Sequence, residues 1–474
     1  MHKVLEESIS IAVLVGAIAL VVRRLPKIEV GHSAAFRARR LRNWVPVGLL
    51  YALLYMGRYN LTVAKSVFSK MIGSDGAPLM DNPDFATIFG VGTAVYGVAF
   101  VINGPLTDRI GGKRSLLLGA WGSIFANIVL GIITWMQPEG GIATSFTFVY
   151  ALNMYFQSFG AVAIVKINAP WFHVRERGTF GAIFGILIAL GLYLALDVGK
   201  LIVDGIALEW VFFAPAVLLS VLAVITTAWV RDTPSQAGFE EFDTADASSG
   251  DDGPRLPVTT VFAQMLRHPV IMTIAAIEFC TGFLRQAILQ WYRAFVEATG
   301  NTDGFVYAHW GMVSCCAGIL GGVFAGVLSD QLFQSRRGPV SAVLYGFMVV
   351  GSVVAVLVLD SPLLGPVFAF MSMCVIGVHG MLTATASMDF GGRRNAGVAV
   401  GIIDGFVYAG TAAMSFTYGQ LLPTKDAAKV VANWLAWPLT MVPVALIGFV
   451  LARRVWHAKP SPKRAAAPAE PAAR

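Results

Sequence analysis

Two arginines stand inside long apolar runs of this chain, Arg58 in LLYALLYMGRYNLTVA and Arg285 in FCTGFLRQAILQW. An arginine near the middle of a bilayer costs at least ~2.5 kcal/mol, and its guanidinium cannot shed the charge. Each follows roughly fifteen residues of its own span, about 22 Å of helix, too deep for easy snorkelling to the surface. At that depth a guanidinium offers planar paired donors that match phosphate or carboxylate. The chemistry to expect is recognition of an anion. The competing reading is a pair of structural ion pairs, with Glu278, Asp404 or Asp197 as partners. Glu278 lies two turns from Arg285 on the same helix, about 10 Å away, and is not a direct partner.

Polar residues around the arginines extend the candidate site. Tyr55 is three residues before Arg58 and shares its helical face, whereas Asn60 points to the opposite one and reads as an interhelical hydrogen bond. Tyr59, Tyr96, Gln157 and Gln286 join Tyr55 as substrate-binding candidates, with Gln157 balanced between the site and packing. Asn153, Asn168 and Gln290 continue the polar pattern, and Lys166, near the end of its span, reads as an interfacial anchor. His379 and Asp404 are candidates for proton or charge coupling, although His379, like His309, also fits a hydrogen-bonded packing role. The four cysteines, Cys280, Cys315, Cys316 and Cys374, sit in apolar spans without metal-ligand spacing and read as small buried hydrophobes. There is no phosphate-cradling GxxxxGK[ST], no HExxH and no nucleophile elbow. The expectation is a protein that is not an enzyme, holds no metal or cofactor, and is not driven by ATP.

These residues must be held by membrane helices. The 474 residues are 56% hydrophobic and 13% charged, with a mean hydropathy of +0.68, whereas soluble domains carry about 25% charged residues. Apolar runs long enough to cross ~30 Å of hydrocarbon predict twelve spans. They cover 44–66, 87–107, 115–136, 145–170, 177–204, 209–230, 269–296, 305–329, 339–359, 363–387, 396–422 and 432–454. A shorter apolar stretch, 9–22, precedes Arg23 and Arg24 and fits an extra membrane helix better than a signal peptide or an interfacial helix. The net charge of +7 does not indicate nucleic acid, because the basic residues collect in alternate loops. That alternation places both ends of the twelve-helix unit in the cytoplasm.

The chain divides into two related halves. Asp108 and Asp330 are 222 positions apart, Arg58 and Arg285 227, and Gly178 and Gly397 219. A repeat at this scale places a substrate site at the interface of the halves near the bilayer midplane. The expected organisation is an N-terminal extra helix and basic segment (1–43), a six-helix bundle (44–230), a cytoplasmic linker (231–268), a second six-helix bundle (269–456) and a disordered tail (457–474). The acidic stretch 231–257 has too little apolar content to fold by itself. The loops GPLTDRIGGKR (104–114) and GVLSDQLFQSRR (326–337) read as gates, with Asp108, Arg109, Arg114 and Asp330 forming a charge-linked latch; the alternative is a simple topogenic loop.

Over residues 40–455 the chain resembles the major facilitator superfamily, and within it the organophosphate:phosphate antiporters. The resemblance rests on YMGRYN (55–60), GPLTDRIGGKR (104–114), FQSFG (156–160), WFHVRERG (171–178), RDTPSQAG (231–238), FLRQAILQW (283–291) and GVLSD (326–330). It implies an all-α membrane fold of two pseudo-symmetric six-helix bundles. It also implies an alternating-access exchanger whose two arginines bind the phosphate group. The chain departs from the glycerol-3-phosphate members where a lysine follows the first arginine, here Tyr59. A second-span lysine falls at Phe100 and a fifth-span histidine at Ile188. A bulkier, less charged or more aromatic anion suits such a pocket.

The expectation is an inner-membrane antiporter that exchanges an organic phosphate, or a similar organic anion, for inorganic phosphate. Its partners are then the small anion, inorganic phosphate and the lipid bilayer, with no nucleic acid. Two rivals remain open: a membrane sensor of a phosphorylated metabolite, and a proton-coupled carboxylate transporter using Asp404 or His379.

Overall fold

The computed structural model describes residues 31–73, 76–136, 142–173, 177–243, 257–328, 332–333, 337–383 and 387–458, with the backbone alone at 177–184, 327 and 387–396. Among these residues twelve long helices carry the fold. They are α1 (Ala34–Phe68), α2 (Asn82–Ile110), α3 (Gly112–Met136), α4 (Ala143–Asn168), α5 (Arg177–Tyr193) and α6 (Trp210–Trp229), then α7 (Pro269–Thr299), α8 (Trp310–Val327), α9 (Arg337–Leu357), α10 (Leu364–Met381), α11 (Ser387–Leu421) and α12 (Ala436–Arg454). α5 runs on through a π-helical turn, Leu194–Val198, into Gly199–Gly205.

Local chemistry sets many of these boundaries. Ser33 Oγ accepts from Phe36 N to start α1, and Asp81 with Asp84 forms a reciprocal capping box before α2. His268 caps α7 ahead of Pro269, and Gly300, at φ 76°, ends it. Among the described residues ten helical spans are long and apolar enough to cross a membrane. α1 is diluted by Arg58, Asn60 and Lys65, and α8 is shorter. The spans expected from the sequence match closely, except that α1 begins at Ala34 and α11 at Ser387, each about ten residues early. At α1 the reason is that Arg37, Arg39, Arg40 and Leu41 are good helix formers that extend the apolar core of the helix into water. The 9–22 stretch lies outside the described residues.

Side chains such as Val98, Phe125, Phe148 and Val221 are exposed around the outside, a surface that suits lipid. Inside, α2 packs on α4 and α11, α7 on α11, and α5 on α8. The α2–α11 crossing brings two backbones together. A Cβ on Gly104 would lie 2.5 Å from the Gly397 carbonyl oxygen, and one on Gly397 would lie 2.8 Å from that of Gly104. Only glycine permits that approach.

The linker departs from expectation. Its first residues, 231–243, dock at one end of the bundle, called here the linker end. Phe36 stacks edge-on against Phe239 and Phe242 and lies beside Trp171. Asp232 Oδ1 accepts the Lys113 amide at 2.7 Å, capping α3 from a distant part of the chain. Burial pushes the Asp232 carboxyl above its ordinary range, against the pull of the Lys113 amide. Arg231 N donates to Asn43 Oδ1 at 2.8 Å. The linker closes with an amphipathic helix, Val258–Arg267, whose Val261 and Met265 are buried. A reading based on mean polarity missed two phenylalanines that find an aromatic cluster. Replacing Asp232 with Ala should remove a helix cap worth about 1 kcal/mol. A thermal unfolding midpoint equal to that of the unsubstituted protein would contradict this capping role.

Candidate anion-binding site

Arg58 has no exposed surface at all, yet each of its nitrogens finds a neutral oxygen. Nε donates to Gln157 Oε1 of α4 at 2.8 Å, Nη1 to the Tyr408 hydroxyl of α11 at 2.8 Å, and Nη2 to the Tyr96 hydroxyl of α2 at 2.6 Å. The guanidinium carbon lies 4.6 Å from the Tyr55 ring centroid and 4.4 Å from that of Tyr96, within cation–π range. None of these partners is a carboxylate, so the charge is solvated by dipoles and not cancelled.

A polar ladder aims Gln157. Its Nε2 donates to Ser123 Oγ and Asn153 Oδ1, each at 3.2 Å, which leaves the amide oxygen for Arg58. Asn153 and Gln157 are one turn apart on α4, and Ser123 and Asn127 one turn apart on α3. Asn153 Nδ2 and Asn127 Nδ2 both donate to the Gly57 carbonyl, at 2.9 and 3.2 Å. Tyr150 donates to the Arg58 carbonyl at 3.0 Å. Asn60 pairs with Asn127 at 2.8 Å, the interhelical bond that its position suggested.

Arg285 approaches from α7. It is 8% exposed, and its Nε and Nη2 are buried without a hydrogen-bond partner. Its electrostatic neighbours are Tyr59, Tyr408 and Tyr55. Tyr408 therefore serves both arginines, one from each half of the chain. Two further contacts cross between the halves on the side away from the linker. Gln286 Nε2 donates to the Tyr59 hydroxyl at 2.7 Å, and Thr62 Oγ1 donates to Gln290 Oε1.

A second buried polar group lies toward the linker end. Glu278 Oε2 and His379 Nδ1 are 2.8 Å apart, and Thr383 Oγ1 is 3.1 Å from the same nitrogen. Asp404, one turn before Tyr408 on α11, has His379, Glu278, Thr383 and Arg285 around it.

The Major Facilitator Superfamily profile matches residues 47–415. The chain belongs to the Major Facilitator Superfamily. It is 26% identical over 405 residues to a Bacillus subtilis (strain 168) protein named glycerol-3-phosphate transporter, covering 81% of this chain and 86% of that one. It is 23% identical over 403 residues to the membrane sensor protein UhpC of Salmonella typhimurium, covering 82% and 87%. A probable hexose phosphate transport protein of Chlamydia trachomatis is 21% identical over 440 residues, covering 88% and 91%. A mutant of the nucleoside transporter NupG, solved as a crystal structure, shares the fold, with a TM-score of 0.60 at 12% identity, covering 88% of this chain and all of that one. The names of the curated relatives agree with the resemblance to organophosphate transporters.

Within this superfamily fold the sequence-derived residues separate into groups. Arg58, Tyr55, Tyr96 and Gln157 form one constellation, Arg285 faces it, and Tyr59 bonds Gln286. The loop residues behave differently from expectation. Lys166 is not a free surface anchor: its Nζ pairs with Asp108 Oδ1 at 2.6 Å. Both groups lie in the first half, so this pair braces α2 against α4 and does not itself bridge the halves. Asp108 nonetheless abuts α11, because a Cβ on Gly397 would lie 2.6 Å from its Oδ2. Arg109 and Arg114 are exposed at the linker end, and Asp330 lies outside the described residues. The three acids considered as structural partners turn out differently: Glu278 pairs with His379, Asp197 caps α8, and Asp404 alone stands near Arg285.

Tyr408 was not among the sequence candidates. Its only signal was its place one turn after Asp404 in IDGFVYAG, and its role depends on the crossing of α11 over α2. Phe100 stacks on Tyr408 at 5.7 Å and 15° and braces it. Replacing Tyr408 with Phe should strand Arg58 Nη1 without an acceptor and destabilise the fold by about 1–3 kcal/mol. The check is the thermal midpoint of the purified variant; no decrease would mean that Nη1 finds another partner.

Proposed function

We propose that this chain is a secondary transporter that exchanges an organic phosphate, or a similar organic anion, for inorganic phosphate. The supporting observation is the pair of buried arginines on opposite halves. Arg58 is held only by neutral oxygens, and Arg285 keeps two unpartnered nitrogens beside the same tyrosine. Such donors suit a tetrahedral oxyanion that accepts from both guanidinium groups. The aromatic surround, Tyr55, Tyr59, Tyr96, Phe100 and Tyr408, favours an organic portion with some apolar or ring character over a small polar one.

In this reading the halves, 44–230 and 269–456, rock about the arginines. The linker end faces the cytoplasm of a cell whose plasma (inner) membrane holds the protein. Two like charges in a chamber of low dielectric resist closure when nothing lies between them. A bound dianion offsets them and permits the swing, so exchange is favoured over leak.

The far end is closed by bonds that such a swing must break. Asp197, in the π-helical turn after α5, accepts from the amides of Gly311 and Met312 at 2.9 and 2.7 Å. It thereby caps the N-terminus of α8 across the two halves, where a carboxylate is favoured by the unsatisfied amides and the helix dipole. Thr62–Gln290 and Tyr59–Gln286 add to this closure.

The decisive experiment is phosphate exchange in proteoliposomes. Arg58→Lys and Arg285→Lys should each lower exchange at least about tenfold, because a point charge cannot supply paired planar donors. Near-normal exchange by either variant overturns the reading. A sensor would instead show no exchange in the unsubstituted protein. Asp197→Ala should open the far end. In a background where Cys280, Cys315, Cys316 and Cys374 are serine, a cysteine at position 62 should then react faster with an impermeant maleimide. Unchanged labelling would remove Asp197 from the gate.

A further inference from the structure

The site described above leaves the Glu278–His379–Asp404 group unused. These residues come from α7, α10 and α11, and are 0%, 8% and 5% exposed. Two of their oxygens, Glu278 Oε1 and Asp404 Oδ1, are buried without a hydrogen-bond partner. A carboxylate oxygen so placed lacks the donor that an ionised acid requires, whereas a carboxylic acid needs fewer. The surroundings compensate only in part, through His379 on Glu278 Oε2 and Thr383 beside Asp404. Cys280 on α7 and Tyr345 on α9 stand near Glu278, and Tyr345 spends its own hydroxyl proton on the Ile277 carbonyl at 2.9 Å. Near Asp404 stand His379 and Thr383, Glu278 and Arg285 on α7, and Tyr96 on α2.

The charges of this group and of the anion site are tied together. Glu278 is seven residues from Arg285 on α7, about 10 Å along the helix, and Asp404 is one turn from Tyr408 on α11. With both carboxylates ionised, the two buried arginines and the two buried acids balance. A dianion between the arginines offsets their charge and leaves the two acids without compensation, an excess that a buried chamber screens weakly.

We propose that Glu278, His379 and Asp404 form a proton-binding site that takes up a proton from water when an anion occupies Arg58 and Arg285. The proton joins an unpartnered carboxylate oxygen, Glu278 Oε1 or Asp404 Oδ1, while the 2.8 Å contact between Glu278 Oε2 and His379 Nδ1 stays in place. Anion movement through this protein is then accompanied by proton movement in the same direction. The coupling step rests on the anion-binding reading of the arginines; the existence of the proton site does not.

The test is an infrared pH titration of the full-length protein in lipid, following the protonated-carboxyl absorption. Without any anion, the protein should show an absorption that grows as the pH is lowered. Glu278→Gln or Asp404→Asn should abolish or halve it. Each substitution preserves shape, so if one variant does not fold the other decides. An absorption unchanged in the folded variant, or none in the unsubstituted protein, overturns the site. Inorganic phosphate should then raise the midpoint by about one pH unit, and Arg285→Lys should erase that rise. Phosphate that protects the protein from thermal unfolding yet leaves the midpoint in place overturns the coupling. If phosphate gives no protection, the anion reading fails, while the phosphate-free titration still decides the proton site.

Discussion

Arg58 is a permanent charge in the middle of a membrane fold, held by three neutral oxygens. A guanidinium that met a carboxylate there would be quiet and useless for binding. One that met nothing would be too costly to bury. Gln157, Tyr96 and Tyr408 satisfy its donors and leave its charge in place. Much of the surrounding structure serves this arrangement. Ser123 and Asn153 hold Gln157 in one orientation, and Phe100 packs on the rings of Tyr96 and Tyr408.

Tyr408 belongs to the opposite half of the chain from Arg58, so their bond joins the two halves. It reaches Arg58 only where α11 crosses α2 closely, and that approach requires Gly104 and Gly397. A contact that satisfies a buried charge across two bodies cannot be lost without replacement. In the proposed exchange, an anion that takes over the arginine donors supplies one. The bonds on the far side, from Asp197 to α8 and from Thr62 to Gln290, are ordinary polar contacts that water can replace. This difference suits a device whose centre is fixed by charge and whose ends open.

The linker end is more ordered than its composition indicates. Asp232 caps α3, Phe239 and Phe242 join Phe36, and Arg40 lies 4.5 Å over the Phe172 ring. The basic residues collected at this end also serve as covers for aromatic rings. Along the same side of the site, Glu278 and His379 pair within the second half, where the sequence offered a separate acid and a lone histidine.

Much could be read from the chain alone. Long apolar runs, the alternation of basic loops and the repeat of landmarks at a common offset determine a membrane fold of helices with two arginines at similar depth. The reason is that a bilayer admits few solutions: backbone groups must be paired within a helix, and a buried charge must have a purpose. Spacing on one helix placed Tyr55 on the face of Arg58, and Tyr59, Tyr96, Gln157 and Gln286 were candidates as polar residues inside apolar spans. What the tertiary structure decided was which groups meet across helices. Tyr408 with Arg58, Asp197 with the amides of α8, Lys166 with Asp108 and Glu278 with His379 are separated by 350, 114, 58 and 101 positions, counting Asp197 to Gly311. Helical periodicity assigns a residue to a face, but it does not say which face of which other helix lies opposite. That is settled by the packing of whole helices, and here by glycines, Gly104, Gly397 and Gly401 among them, that let α2 and α11 touch.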